Sequence, residues 1–349
     1  MRGLLLVAIF GCAVIAMPFA AGALAPEFAR TVGVFATSTP SEHIEESGTL
    51  VFYGDVLLAR AVERQMRRYG HGYPFGGLIA PPDATVVANF ESAVPAVHQP
   101  TPDGSVRFST PASMLSALSA ADITHVSLAN NHSFDFGASG FRNTERALAE
   151  AGVTPFGHPN RLSDRASIAY ETIGSSEVAL IGINAVGVRP DAATLTAVLA
   201  TATERSDMQI AYVHWGPEYV TSHAPSQRRL AEHLVTAGAD LIIGHHPHVI
   251  QDIELIGGVP VLYSLGNHIF DQYFSPEVQV GLVASLHLSA KPALVLTPVE
   301  SFASPGQPRP STGSARARIL RSLAERSDPA IAPAIERGII SLPLLATSD

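Results

Sequence analysis

Cysteine is nearly absent: Cys12 is the only one in 349 residues. It sits in an apolar N-terminal stretch, and removal of that stretch leaves a chain with none. Disulfides, a thiol nucleophile and any Cys-ligated zinc or iron–sulfur site are then excluded. Charge is also scarce. Only 15% of residues are charged against 46% apolar, which excludes a disordered chain. The balance is acidic, -9 at pH 7. Nucleic acid, which is bound mainly by clustered Lys and Arg, is excluded as a partner, and no basic patch suits anionic lipid. An acidic surface also repels a polyanionic substrate unless bound cations invert the local field.

The N-terminus reads as an export signal. Arg2 precedes the apolar run Leu4–Ala16, and Ala21-Gly22-Ala23 or Ala23-Leu24-Ala25 offers a small-residue cleavage site. The run continues through Met17, Pro18 and Phe19 towards Ala25, long enough to serve instead as an uncleaved membrane anchor. Residues 1–25 are therefore a signal peptide or an anchor, and the protein is expected to be secreted, periplasmic or membrane-anchored. The apolar run extends well past Cys12, which argues against lipid attachment there.

Residues 26–48 read as a linker, polar from Phe35 to Gly48. Short β-branched runs then recur at Leu50–Tyr53, Thr85–Ala88, His125–Ala129, Val178–Ile183, Ile210–Val213, Leu241–Ile243 and Val259–Tyr263. Helical periodicity separates several of them, at Val56–Arg68, Ala112–Ala121, Phe141–Ala151 and Ser226–Ala237. That alternation predicts an α/β fold. Val278–Leu288 and Ala293–Val299 read as consecutive strands, an antiparallel edge or a second sheet. One domain is expected over 49–303, followed over 304–349 by a Pro/Gly linker, a basic helix Ala315–Arg326 and a tail.

Polar residues fall at the strand ends. Asp55 follows the first strand, Asn89-Phe90-Glu91 the second, and Asn130-Asn131-His132 with Asp135 the third. His214 and the run His245-His246-Pro247-His248 follow two later strands. In α/β sheets ligands bind beyond the carboxyl ends of strands, where loops converge. Singly, Asp55 also reads as a helix cap and Asn131 as a left-handed turn residue. His246 and His248 are harder to explain as structural, because a solvated loop has little use for three histidines in four positions. His245 reads as the spare, since alternation points it away from His246. Carboxylates, an amide and imidazoles without thiolate suit Mn, Fe or Zn. The donors exceed the needs of one tetrahedral ion and fit two divalent ions bridged by a carboxylate.

The ordered set Gly54-Asp55, Asn89-Phe90-Glu91, Leu128-Ala129-Asn130-Asn131-His132, His214-Trp215-Gly216-Pro217-Glu218-Tyr219, Gly244-His245-His246-Pro247-His248-Val249 and Tyr263-Ser264-Leu265-Gly266-Asn267 with Phe270-Asp271-Gln272 resembles the CapA family of capsule and poly-γ-glutamate biosynthesis. The resemblance spans about Thr49 to Leu288. That family is related to calcineurin-like metallophosphatases, so the resemblance implies a layered β-sandwich flanked by helices. It implies metal ligands at Asp55, Glu91 (the bridging carboxylate), Asn131, His214, His246 and His248. It also implies a leaving-group histidine at His132 and a substrate contact at Arg60. Asp135 is placed by its spacing to orient His132.

Two departures stand out. Leu57 occupies the place where calcineurin-like phosphatases carry a metal histidine, a gap that CapA-like sequences share. Gly266-Asn267-His268 mimics the metallophosphatase Gly-Asn-His motif, whose counterpart here is Asn131-His132. The expected function is metal-dependent hydrolysis of a phosphate ester. The alternatives are hydrolysis of a γ-glutamyl amide and a non-catalytic part in polymer assembly. The expected partners are an anionic polymer or phosphoester substrate and membrane proteins of capsule biosynthesis.

Overall fold

The computed structural model describes residues 47–342, except 79, 103 and 164–166. The N-terminal segment read as signal or anchor lies outside the described residues, as do nearly all of the linker and residues 343–349. Among the described residues no helix is long and apolar enough to cross a membrane.

The chain forms β1 (Gly48–Val56), β2 (Thr85–Phe90), β3 (Ile123–Ser127), β4 (Thr154–Phe156), β5 (Ile168–Ile173), β6 (Ser176–Asn184), β7 (Met208–His214) and β8 (Leu241–His245). There follow β9 (Ile253–Ile256), β10 (Val259–Leu262), β11 (Asn267–Ile269), β12 (Val280–Leu288), β13 (Ala293–Glu300), β14 (Arg309–Pro310) and β15 (Ile339–Ser341). One sheet has the order β14-β13-β12-β1-β2-β3-β4, with β11 on β1 and β15 on β13; the other is β5-β6-β7-β8-β10-β9. The neighbours β1 to β4 are parallel, as are β6, β7, β8 and β10.

Alternation along the strands builds four layers. Leu50 and Phe52 of β1 share a core with Ile210 and Tyr212 of β7, between the sheets. Val51 and Tyr53 point the other way, onto Val62 and Met66 of the helix Arg60–Tyr69 and Phe141 of the helix Gly137–Glu150. Ala211 and Val213 point outward onto the helices Ala192–Thr203 and Pro225–Thr236. This is the layered α/β arrangement of two sheets with flanking helices that the sequence predicts.

Several boundaries differ. Val56 ends β1 rather than opening a helix, and the helix begins at Arg60. The expected helix Ala112–Ala121 is broken into a 3₁₀ turn, Ala112–Met114, and the short helix Ser116–Ser119. Of the two expectations for the late strands the antiparallel edge holds: β12 pairs antiparallel with β1 and β13 with β12, extending the first sheet. Residues after 303 are more than a linker and tail. β14 and β15 pair with β13, and Leu320, Leu323 and Ala324 of the helix Gly313–Arg326 fill the core between the sheets. Apolar spacing on that basic helix packs it onto the domain, so the packed unit continues to Leu342.

Candidate metal centre

Asp55 lies inside β1, while the N-cap position of the next helix is Ala59, so Asp55 is not a cap. It is fully buried, as is Glu91 just beyond β2. Asn89 Nδ2 donates to Asp55 Oδ1 and to Glu91 Oε1, both at 2.8 Å. His245 Nδ1 stands 3.1 Å from Asp55 Oδ1, and His248 Nδ1 stands 3.2 Å from Asp55 Oδ2.

The two carboxyl groups are shifted in opposite directions. Burial alone raises an Asp, but the hydrogen bonds and charge of His245 and His248 overrule it and hold Asp55 well below the ordinary range. Burial, then the neighbouring charge of Asp55, pushes Glu91 well above its ordinary value. Burial likewise lowers His214, and His246 is lowered to about 4 by burial and the charge of His248. At neutral pH these two imidazoles are uncharged, the form that ligates metal.

β7 and β8 deliver the histidines. His214 ends β7, and Gly216 then turns the chain at φ 84, where a Cβ would meet the Gln227 amide at 2.5 Å. That turn returns Glu218 towards the His246 loop, and the Tyr219 amide donates to the Pro247 carbonyl at 2.8 Å, fixing the two loops together. His246 (φ 94) and His248 (φ 59) hold left-handed backbone conformations, which are uncommon outside glycine and cluster at functional sites. His245 points away from His246, as alternation suggests, and belongs to neither group of metal donors, but it is not idle. It closes β8 with the same inward orientation as Leu241 and Ile243, so its ring stacks on Tyr212 (4.2 Å) and bonds Asp55.

The third loop is organised by Asn130, whose Oδ1 accepts from His132 N, Ser133 N and Ser133 Oγ. Asn131 bridges two rings: its Oδ1 is 2.9 Å from His214 Nε2 and its Nδ2 is 3.2 Å from His132 Nε2. His132 Nδ1 is 3.1 Å from Asp135 Oδ2, which also accepts from the Phe108 amide at 2.6 Å.

Two groups of donors result, Asp55 with Glu91 and His214, and Glu218 with His246 and His248; within each, ligand atoms lie within 4.8 Å of one another. Glu91 Oε2, His246 Nδ1 and His245 Nε2 are buried polar atoms with no hydrogen-bond partner, an arrangement that costs free energy unless another group satisfies them. Carboxylate and imidazole donors converging on unsatisfied atoms fit divalent metal ions of the borderline class.

The family model for the bacterial capsule synthesis protein PGA_cap matches residues 49–272, a span that holds every one of these donors. This chain belongs to the PGA_cap family. It is 30% identical to the capsule biosynthesis protein CapA of Bacillus anthracis over 311 residues, 81% of this chain and 75% of that one. It is 28% identical to the PGA biosynthesis protein CapA of Bacillus subtilis, over 79% of this chain and 78% of that one. A shorter match, 32% over 168 residues, is to a probable polyglutamine synthesis accessory protein of Mycobacterium tuberculosis, covering 41% of this chain and 44% of that one.

In this PGA_cap domain the other singled-out residues are placed as follows. The Arg60 guanidinium is held by the Asp271 carboxylate and lies over the Phe108 and Phe270 rings, so it is engaged rather than open. Leu57 is fully buried in an apolar cluster with Ala59, Phe108 and Phe270 and supplies no metal ligand. Asn267 Oδ1 is 2.9 Å from His248 Nδ1, so it supports a candidate ligand. His268 faces the other way and stacks on Tyr53 at 4.1 Å. Glu218 is the donor that sequence reasoning missed. It stands in the His214-Trp215-Gly216-Pro217-Glu218 motif, but off any strand end, and only the Gly216 turn brings it in.

Proposed function

We propose that this chain is an exported, metal-dependent hydrolase of capsule or poly-γ-glutamate biosynthesis, acting on an anionic substrate through a phosphate ester. The observation that supports it most is the closeness of the two donor groups, with His248 Nε2 3.8 Å from Glu91 Oε2, and of the His132–Asp135 pair, joined to His214 through Asn131. Two divalent ions bound there supply water activation and charge neutralisation for hydrolysis. Asp55, Glu91 and His214 would hold one and Glu218, His246 and His248 the other, with Asn131 beside both His214 and His132.

The chain's own residues do the rest. Asp135 holds the Nδ1 side of His132, which leaves Nε2 as the position from which a proton reaches a leaving oxygen. The Phe108 amide fixes Asp135, and the Phe108 ring packs on His132 at 4.1 Å, so the imidazole is oriented before substrate arrives. The export reading rests on the N-terminal sequence alone.

A second reading, hydrolysis of a γ-glutamyl amide, is favoured by relatives named for PGA biosynthesis and for polyglutamine synthesis. The test is elemental analysis of protein purified without chelator, followed by hydrolysis assays on a phosphoester panel and on γ-linked glutamate oligomers. Phosphate release dependent on metal supports the first reading and oligomer shortening the second. Metal-free protein that hydrolyses neither overturns both.

A further inference from the structure

A cavity of about 440 Å³ opens at the same end of the strands as the candidate metal centre. Its walls include His158 beyond β4, Asn184 at the end of β6, and the guanidinium-bearing Arg161 and Arg189. β4 is the neighbour of β3, whose loop carries Asn131 and His132, and β6 is the neighbour of β7. Asn184 is register-paired with His214, and the Ala185 amide donates to the His214 carbonyl at 2.8 Å. The strands that lead into the cavity are therefore the immediate neighbours of donor-bearing strands, one in each sheet. Two glycines permit this closeness: a Cβ on Gly157 (φ 80) would meet Ala129 Cβ at 2.8 Å, and one on Gly182 would meet Gly157 Cα at 2.7 Å.

The cavity's charge is opposite in sign to the chain as a whole. Arg161 and Arg189 are exposed, and among the described residues neither guanidinium has a hydrogen-bond or ion-pair partner. Among the described residues that line the cavity the one carboxylate, Asp191, is committed to capping the helix Ala192–Thr203, accepting from Thr194 N and Thr194 Oγ1, each at 2.9 Å. His158 Nδ1 accepts from the Asn160 amide at 3.0 Å, which makes Nε2 the N–H donor of a neutral ring. The Phe134 ring, on the His132 loop, packs against His158 at 5.2 Å and joins the two sites.

We propose that this cavity is a carboxylate-binding subsite, in which Arg161 and Arg189 hold an acidic unit neighbouring the one at the metal centre. Guanidinium groups with open forks match carboxylate geometry. A chain of acidic units places such a group beside the reacting bond, and an acidic protein needs local positive charge to hold it. The inference rests on the polymer part of the function proposed above and is independent of which bond is cleaved.

The test uses the full chain and calorimetric titration with γ-linked glutamate oligomers of increasing length. Wild-type protein is expected to bind them, and Arg161→Gln/Arg189→Gln to bind at least about tenfold more weakly, the scale of losing charged hydrogen bonds. Metal content should be unchanged in the double variant. Arg229→Gln/Arg321→Gln, with the same charge change elsewhere on the surface, should bind as wild type does. The subsite is overturned if wild type does not bind, if both double variants weaken binding equally, or if γ-linked glutamine oligomers bind as well. Displacement of the oligomer by inorganic phosphate at equal concentration also overturns it, in favour of a phosphate site. Failure of hydrolysis with Arg-dependent binding intact refutes the enzyme reading alone.

Discussion

The carboxylate of Asp271 holds Arg60 in a left-handed conformation (φ 52) at the first turn of its helix. It accepts from Arg60 Nε at 3.1 Å and from the Ala61 amide at 3.0 Å, so it supplies from a distant loop the helix cap that Ala59 cannot. Both side chains are largely buried, at 14% and 7% exposure. Asp271→Ala should therefore destabilise the fold by about 3 kcal/mol, as expected when a buried pair loses one member. Chemical denaturation reads this directly, and a change under about 0.5 kcal/mol, the range of ordinary surface substitutions, would contradict it.

The metal assignment predicts that His246→Ala, Asp55→Asn and Glu218→Gln each weaken metal binding by at least about tenfold, since losing even a supporting partner of a ligand costs that much. Elemental analysis after dialysis is the check. Full occupancy in His246→Ala removes the site. Full occupancy in Glu218→Gln alone removes only that donor from the second group.

His132→Ala should keep its metal and its fold yet lose about 10² to 10⁴ in hydrolytic rate, the usual contribution of a general acid. Asp135→Asn should lose less, because the imidazole remains and only its orientation is relaxed. If His132→Ala restores capsule as well as the unaltered chain does, at matched expression and metal content, the chain works as an assembly component.

His268 is buried with both ring nitrogens unpartnered, and burial lowers it to about 3. The folded state thus refuses a proton that the unfolded chain binds below its ordinary value of 6.5. Stability should fall as pH drops from about 6.5 towards 3, with the cost absent at neutral pH and above. His268→Phe should shrink that acid-side loss. It should also raise stability at pH 7 by about 1–3 kcal/mol, the cost of an unsatisfied buried polar group. A variant with an unchanged acid profile and reduced metal content would make His268 part of the metal site.

The strands that carry the centre were legible because β1, β2, β3, β7 and β8 are apolar runs ending in polar motifs. β4 was not: Thr154-Pro155-Phe156 is too short and carries a proline. Alternation tells which face His245 takes, but not what the opposite sheet presents to that face; here it is Asp55. Glu218 was missed because a tight glycine turn places it, and the Arg60–Asp271 contact because it spans 211 positions. Local pattern reveals which residues sit at strand ends, whereas pairing between distant loops depends on the finished packing.

One donor group draws Asp55 and Glu91 from the first sheet and His214 from the second. An ion shared by them is a tether across the sandwich, in a folded region that has no disulfide to serve that purpose. Its hold on the two sheets then depends on solution chemistry, tightening by about 1.4 kcal/mol for each tenfold rise in free metal above the dissociation constant. Wherever metal supply fluctuates, how long such a domain lasts would then become a measure of the metal around it.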